Sequence, residues 1–355
     1  MRVLITGSDG YLGALVAPYL SAHGFDVVGL DTGYYKSGWL CSERLTQVVR
    51  PLMTPATLVR DIRDVQADDL RGFDAIVHMA ELSNDPLGAL IGEVTYDINH
   101  RGSVHLAECA KQAGVPRFVY MSSCSVYGAA EGTVDENSPL NPLTAYADCK
   151  VMVERDLTAL ADDSFSPTFL RNATAFGASP RMRFDIVLNN LSGLAWVERK
   201  IAMTSDGTPW RPLVHGLDIA QAIRCALTAD RNTIHGLAVN VGSDENNRTV
   251  RDIASAVGDE FPDCDVTFGA PDADQRSYRV DFSRIRSVFP EFTAQWDVAA
   301  GAAQLHRVFE AIDLTAETFY GRGHTRLKQI QYLLDTGQLD SKLFWTDPSL
   351  VAVGA

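Results

Sequence analysis

The N-terminal stretch Arg2-Val-Leu-Ile-Thr-Gly-Ser-Asp-Gly-Tyr-Leu-Gly13 leaves little freedom to the rest of the chain. The apolar run from Arg2 to Thr6 reads as a buried strand, and Gly7-x-x-Gly10-x-x-Gly13 turns it into an amphipathic helix that continues through Leu20. Glycine is needed where a turn is tight and where backbone N–H groups must approach a pyrophosphate; the helix N-terminus adds a potential that favours negative charge. A tight turn without a ligand is the other reading of the same glycines. The second strand, Phe25 to Leu30, ends in Asp31. A carboxylate there accepts hydrogen bonds from a ribose diol and repels a 2′-phosphate, which predicts NAD over NADP.

Strand and helix patterns then alternate. Arg60-Asp-Ile-Arg-Asp64 precedes a short helix, Ala75 to Ala80 reads as a buried strand, Ser103 to Ala113 as a helix and Phe118 to Ser122 as another strand. This alternation predicts an α/β fold, a doubly wound parallel sheet with helices on both faces. Thr168 to Asn172 and Gly236 to Val241 read as later strands of the same sheet. The nucleotide-binding domain is therefore expected at 1–175, completed by about 214–245. Residues 176–213 and 246–312, less regular and bearing Arg-containing polar runs such as Ser179 to Asp185, are expected to form a smaller, discontinuous α+β substrate lobe. Residues 313–355 are expected to be a C-terminal helical extension in which Leu327, Ile330 and Leu334 share one face.

With 46% hydrophobic residues the chain can bury a substantial core, and its formal charge of −14 opposes nonspecific binding to nucleic acid and to anionic membranes. No apolar run approaches the ~18 residues of a membrane span. The six cysteines show neither C-x-x-C pairs nor regular spacing, so no disulfide framework and no metal site is expected. The N-terminus starts directly on a strand, without the pattern of a secretory leader, and a cytoplasmic protein is expected.

Candidate chemistry lies between Arg117 and Lys150. Asn141-Pro142 reads as a helix start, a capping side chain before a proline suited to the first turn, so Tyr146 and Lys150 fall i, i+4 on one helical face. A tyrosine beside a fixed ammonium makes a base. A free phenol has a pKa of ~10, so work near neutral pH needs a fall of about 3 units, roughly 4 kcal/mol of field, which one lysine and a cationic nicotinamide can supply.

Together these pieces resemble the extended short-chain dehydrogenase/reductase family, in its nucleotide-sugar epimerase/dehydratase branch, over about the first 310 residues. The resemblance implies a Rossmann-type fold with NAD as cofactor. Its cofactor turn is matched by Gly7, Asp9, Gly10, Tyr11, Leu12 and Gly13, its ribose acid by Asp31, the segment beside the adenine by Asp61 and Ile62, and the strand end under the cofactor by Met79 and Ala80. Asn99 is similar to the asparagine that shapes the active-site helix. Ser123, Tyr146 and Lys150 match the catalytic trio, with Tyr146 and Lys150 also at the cofactor. For the substrate the resemblance implies Ser83, Ser123, Ser125, Asn172, Asn190, Arg211 and Arg276, the last as the arginine that grips the sugar-nucleotide diphosphate. It also implies a homodimer, pairing the helix after Asn99 and the helix of Tyr146.

Departures from the branch separate its reactions. The 4,6-dehydratases follow their catalytic Thr with Asp-Glu, whereas Ser123 is followed by Cys124-Ser125. Decarboxylating members need the second of those acids, and the 3,5-epimerases place a cysteine where this chain has Ser125. Cys124, one residue away, points to the opposite face and is expected to pack. The expected function is therefore NAD-dependent epimerisation of a nucleotide-diphospho-sugar by transient oxidation, at C4, with Tyr146 as base. An NAD(P)-dependent nucleotide keto-sugar reductase or dehydrogenase, and epimerisation at C3 or C5, are the alternatives. A noncatalytic dinucleotide-binding protein usually loses the tyrosine or the lysine, and both stand here.

Overall fold

A computed structural model describes residues 1–40, 55–83, 91–270, 277–347 and 349. Seven strands form one sheet: β1 (Arg2–Thr6), β2 (Asp26–Asp31), β3 (Ala56–Val59), β4 (Ala75–His78), β5 (Arg117–Ser123), β6 (Ser166–Asn172) and β7 (Ala238–Val241). Their order is β7-β6-β5-β4-β1-β2-β3, and every neighbouring pair is parallel. This is the Rossmann-type doubly wound sheet. Its strand order reverses between β1 and β4, which opens a crevice at the carboxyl ends of the strands.

Side chains alternate across the sheet and fill two cores. Val3, Ile5, Val77, Val119, Met121 and Leu170 join one core with the helices α1 (Gly13–Ala22) and α4 (Gly216–Thr228). Leu4, Ile76, Phe118, Tyr120 and Phe169 join the other with α2 (Ser103–Gln112) and α3 (Ala145–Leu160). Because both faces are covered, β4 and β6 are buried along their whole length. β3 has no counterpart in the sequence pattern because all four of its residues are exposed, leaving no apolar alternation to mark it. A third core gathers Phe176, Met182, Phe184, Leu188, Ile253, Leu305, Phe309 and Phe319.

The helix carrying Tyr146 begins later than Asn141-Pro142 suggests. α3 starts at Ala145, and Thr144 is its cap, accepting from Ala147 N at 3.2 Å. Asn141 instead donates its backbone N–H to Val126 O at 2.9 Å, which ties the loop to the turn after β5. Cys124 is buried, with its thiol on Arg171 O at 3.1 Å, in keeping with packing. Among the described residues no helix is long and apolar enough to cross a membrane, and no group of His, Cys, Asp and Glu is placed to hold a metal ion.

The tail helix α5 (Arg326–Asp335) packs back on its own chain, against the core beneath β2. Its inward face is turned from the expected stripe. Ile330 and Leu333 are buried, whereas Leu327 and Leu334 lie at the margin. Arg326 and Gln329 share the buried face: Gln329 Nε2 donates to Tyr34 O at 2.9 Å, and the Arg326 guanidinium lies over the Tyr35 ring. Replacing Ile330 by Ala should lower the unfolding free energy by about 2–5 kcal/mol, the range for deleting a buried aliphatic side chain. Urea unfolding checks this, as a lower midpoint with an unchanged slope. Truncation at Leu314 should lower stability further without changing the mass in solution by light scattering.

Candidate active site

The turn after β1 is glycine-bound by its packing. Gly7 has a φ of +73°, and a Cβ there would stand 3.0 Å from Ala80 N; a Cβ on Gly13 would stand 2.2 Å from Gly7 O. α1 then starts at Gly13 with no side-chain cap; Ala14 N donates to Gly10 O at 3.0 Å and Leu15 N to Leu12 O at 2.9 Å, which closes the turn, and Gly7, Gly10, Tyr11, Leu12 and Gly13 form the wall of the cleft. Opposite the turn, the cleft of about 340 Å³ continues past Asp31, Asp61 and Ile62 at one end and past Met79, Ala80, Ser83, Ser123, Ser125, Tyr146, Lys150 and Asn172 at the other. Residues from the first and second thirds of the chain thus meet in one groove.

Asp31 is held ready at the end of β2. It accepts from Asp9 N at 3.0 Å and Gly33 N at 2.8 Å, while burial, and next the Asp9 carboxylate, push its pKa up to about 6. Asp9 itself is turned away from the cleft and anchors the lobe. Arg181, fully buried, donates Nε to Asp9 Oδ1 at 2.9 Å, forms an ion pair with Asp9 through Nη2, and donates Nη1 to Tyr35 O at 2.7 Å.

At the other end, β5 carries Ser123 to the crevice, where its hydroxyl accepts from Ser125 N at 3.1 Å. Register pairs Ser123 with Asn172 of β6. Asn172 Nδ2 donates to Ser122 O at 3.1 Å and Leu170 O at 2.9 Å; its Oδ1 and Ser125 Oγ are buried on the cleft without a partner among the described residues. Buried polar atoms are nearly always satisfied, so two orphans on one cleft wall are accounted for by a polar ligand. Beneath them Glu154 accepts from Ser122 Oγ at 2.5 Å and pairs with Arg171 at 2.6 Å, and Arg171 Nη1 donates to Tyr127 OH at 3.0 Å.

Tyr146 and Lys150 lie on α3, with the Lys150 ammonium 5.2 Å from the Tyr146 ring centre and 4.6 Å from that of Tyr120. That ammonium donates to Met121 O and forms an ion pair with Glu81, both side chains 3% exposed. Glu81 also accepts from Tyr120 OH at 2.6 Å. Burial works most strongly against the charge on Lys150, but Glu81, and next Tyr146, together outweigh it and the lysine pKa is raised; Glu81 is raised by burial. His78, bonded to Thr6 and Ser103, is pushed down to about 3, by burial first and by Lys150 next, and stays neutral.

Some expected residues lie off the cleft. Asn99 is buried and clasps Leu82, accepting from its N–H at 2.8 Å and donating to its carbonyl at 3.0 Å, so it shapes the segment that carries Glu81. Asn190 donates to Phe184 O at 2.9 Å and Arg211 to Trp210 O at 2.9 Å, and neither lines the cleft. Arg276 lies outside the described residues. In their place the wall carries Arg183, which donates to Ser83 Oγ at 3.0 Å and pairs with Asp185 at 2.8 Å, and Arg326, buried with its guanidinium 3.9 Å from the Tyr35 ring centre. Glu81 has a sequence signal in hindsight, being a carboxylate just past the end of a central strand; Arg326 has none, because a helix of the tail brings it in.

A model of the NAD dependent epimerase/dehydratase family matches residues 3–242. The chain is 29% identical over 266 residues to a UDP-glucose 4-epimerase of Bacillus subtilis, covering 68% of this chain and 77% of that one. It is 31% identical over 278 residues to a UDP-glucose 4-epimerase of Neisseria gonorrhoeae, covering 68% and 78%. Among solved structures, a UDP-glucose-4-epimerase from Stenotrophomonas maltophila with bound NAD and formylated UDP-arabinopyranose superposes with a TM-score of 0.76 at 24% identity, covering 88% of this chain and 99% of that one.

A ribose diol donating to Asp31 stabilises its charged form, so dinucleotide binding should be linked to loss of the Asp31 proton. Affinity for NAD should be constant above the Asp31 pKa and fall by about tenfold per pH unit below it. Calorimetric titration across that range checks this, and Asp31→Asn should bind more weakly with a flat profile.

Proposed function

We propose, from the premise that the chain belongs to the NAD-dependent epimerase/dehydratase family, that it inverts C4 of a nucleotide-diphospho-sugar with Tyr146 as the base. The cofactor is NAD, which when bound supplies a hydride acceptor and donor at the nicotinamide. The remaining chemistry belongs to side chains. Tyr146 takes the proton of the reacting hydroxyl, Lys150 supplies positive charge to the phenolate and a donor to the nicotinamide ribose, and Ser123 hydrogen-bonds the reacting oxygen. The observation that carries this reading is the meeting of Ser123, Tyr146 and Lys150 at one end of the groove whose other end is Asp31. Ser125, with its hydroxyl unpartnered on the cleft, supplies no carboxylate for eliminating water, which favours epimerisation over dehydration.

Epimerisation regenerates its dinucleotide at each turnover, and the tail supports a retained cofactor. Trp345 Nε1 donates to Thr32 O at 2.7 Å, Tyr34 OH donates to Leu343 O, and Arg326 brings to the cleft a guanidinium that makes no hydrogen bond among the described residues. The segment beside Asp31 is thereby pinned. A keto-sugar reductase would need that region to release its cofactor. The working unit under this reading is a homodimer paired through α2 and α3.

Incubation with a panel of nucleotide sugars in D2O, followed by NMR, should give C4 inversion without added cofactor and without deuterium uptake. Deuterium at C3 or C5 would redirect the assignment to that carbon. Tyr146→Phe should abolish turnover while leaving NAD affinity nearly unchanged, since only the hydroxyl is lost; near-full activity in that variant would remove Tyr146 as the base.

A further inference from the structure

The field of Lys150 does not reach Tyr146 from a lone charge. Glu81 follows β4 directly and is held there by the clasp of Asn99 on Leu82. One carboxylate oxygen accepts from Tyr120 OH at 2.6 Å and the other pairs with Lys150. A second N–H of the ammonium is committed to Met121 O. A lysine has three donors, so one remains for a ribose hydroxyl or the phenol. Among the described residues Glu81 is the sole carboxylate within ion-pair distance of Lys150.

The surrounding charges leave Glu81 as the group that matters. On β4, His78 is neutral. On β5, Tyr120 is held protonated, its pKa raised well above the usual value by burial and then by Glu81. On α3, Cys149 is raised by burial, Asp148 accepts from Tyr96 OH at 2.8 Å, and Glu154 is matched by Arg171. From the lobe, Arg183 acts on Tyr146 but is paired with Asp185.

We propose that Glu81 is a positioning residue that acts through Lys150: its carboxylate clamps the ammonium between β4 and β5 and offsets its charge, so that the lysine–glutamate pair sets the pH at which Tyr146 becomes a phenolate. This rests on the reading of Tyr146 as the base and deepens it. An ion pair acts on a nearby phenol as a dipole, whose field is weaker and more directional than that of the cation alone. The negative end disfavours phenolate. Removing the charge while keeping the shape should therefore make Tyr146 more acidic.

The test is an ultraviolet phenolate titration of the full-length, NAD-loaded protein. Subtracting the curve of Tyr146→Phe from that of the parent isolates Tyr146, and the same subtraction in a Glu81→Gln background gives the variant. Glutamine keeps the hydrogen bond with Tyr120 and loses the charge. The Tyr146 midpoint should fall by about one pH unit, while Glu81→Asp, which keeps the charge, should stay near the parent. An unchanged or raised midpoint in Glu81→Gln overturns the proposal, as does an equal fall in Glu81→Asp. Should the amide variant fail to fold, Glu81→Ala, which leaves room for water beside the ammonium, must show the same downward shift, and no shift overturns the proposal. The readout needs no turnover, so a failed search for the nucleotide sugar leaves it intact; where turnover is found, the acid limb of kcat/KM should move down with the phenolate midpoint.

Discussion

One hydroxyl holds the crevice in register. Thr6 Oγ1, at the end of β1, accepts from Met79 N and Ala80 N, both at 3.1 Å, and is bonded to His78 Nδ1 at 2.6 Å. This is the point at which the strand order reverses, so Thr6 joins the two strands that diverge around the cleft. Gly7 can lie against Ala80 because that segment is fixed, and its amide then donates to Leu30 O at 2.8 Å, tying the glycine turn to β2. The chain of contacts runs on from His78 to Ser103 at 2.7 Å, from Ser103 to Asn99 O at 2.7 Å, and from Asn99 to Leu82. Cofactor turn, strand end and active-site helix are therefore parts of one hydrogen-bonded unit, and each member is buried where an unmade bond is costly.

What was legible in the sequence follows from distance along the chain. The glycine turn, Asp31 and the Tyr146–Lys150 pair are set by spacings within one turn or one strand, and periodicity reports such spacings directly. Glu81 and Tyr120 meet Lys150 from adjacent strands and a helix, a juxtaposition that depends on register between β4 and β5 and that no local pattern carries. The start of α3 departs from the sequence pattern for a different reason. Asn141-Pro142 has the chemistry of a cap, but Asn141 is drawn into the turn after β5, leaving Thr144 to close the helix.

The tail shows the same limit. An apolar stripe predicts which face of a helix is buried when the surface it meets is apolar. α5 meets the Tyr34 carbonyl and the Tyr35 ring, so Gln329 and Arg326 turn inward and the stripe rotates towards Leu333. Polar residues at a buried position are then a record of the partner's backbone, which is invisible until the two are brought together.

Among the described residues four cations are buried and a fifth, Arg183, is partly so, and an acidic chain has to answer each one. Lys150 is matched by Glu81, Arg171 by Glu154, Arg181 by Asp9 and Arg183 by Asp185. Pairs of this kind add little to stability because desolvation offsets the attraction, but breaking one strands a charge, so they fix geometry. The first three join segments that must stay aligned for the groove to keep its shape, whereas Arg183 and Asp185 stiffen one segment. Arg326 is the exception, stacked on Tyr35 with no hydrogen bond among the described residues, its pKa brought down to about 10 by burial. A guanidinium in that state is held by its surroundings at a cost that an anion entering the cleft would relieve. Under the proposed reading two diphosphates come to this groove, and Arg326 is a buried cation on its wall without a carboxylate partner among the described residues.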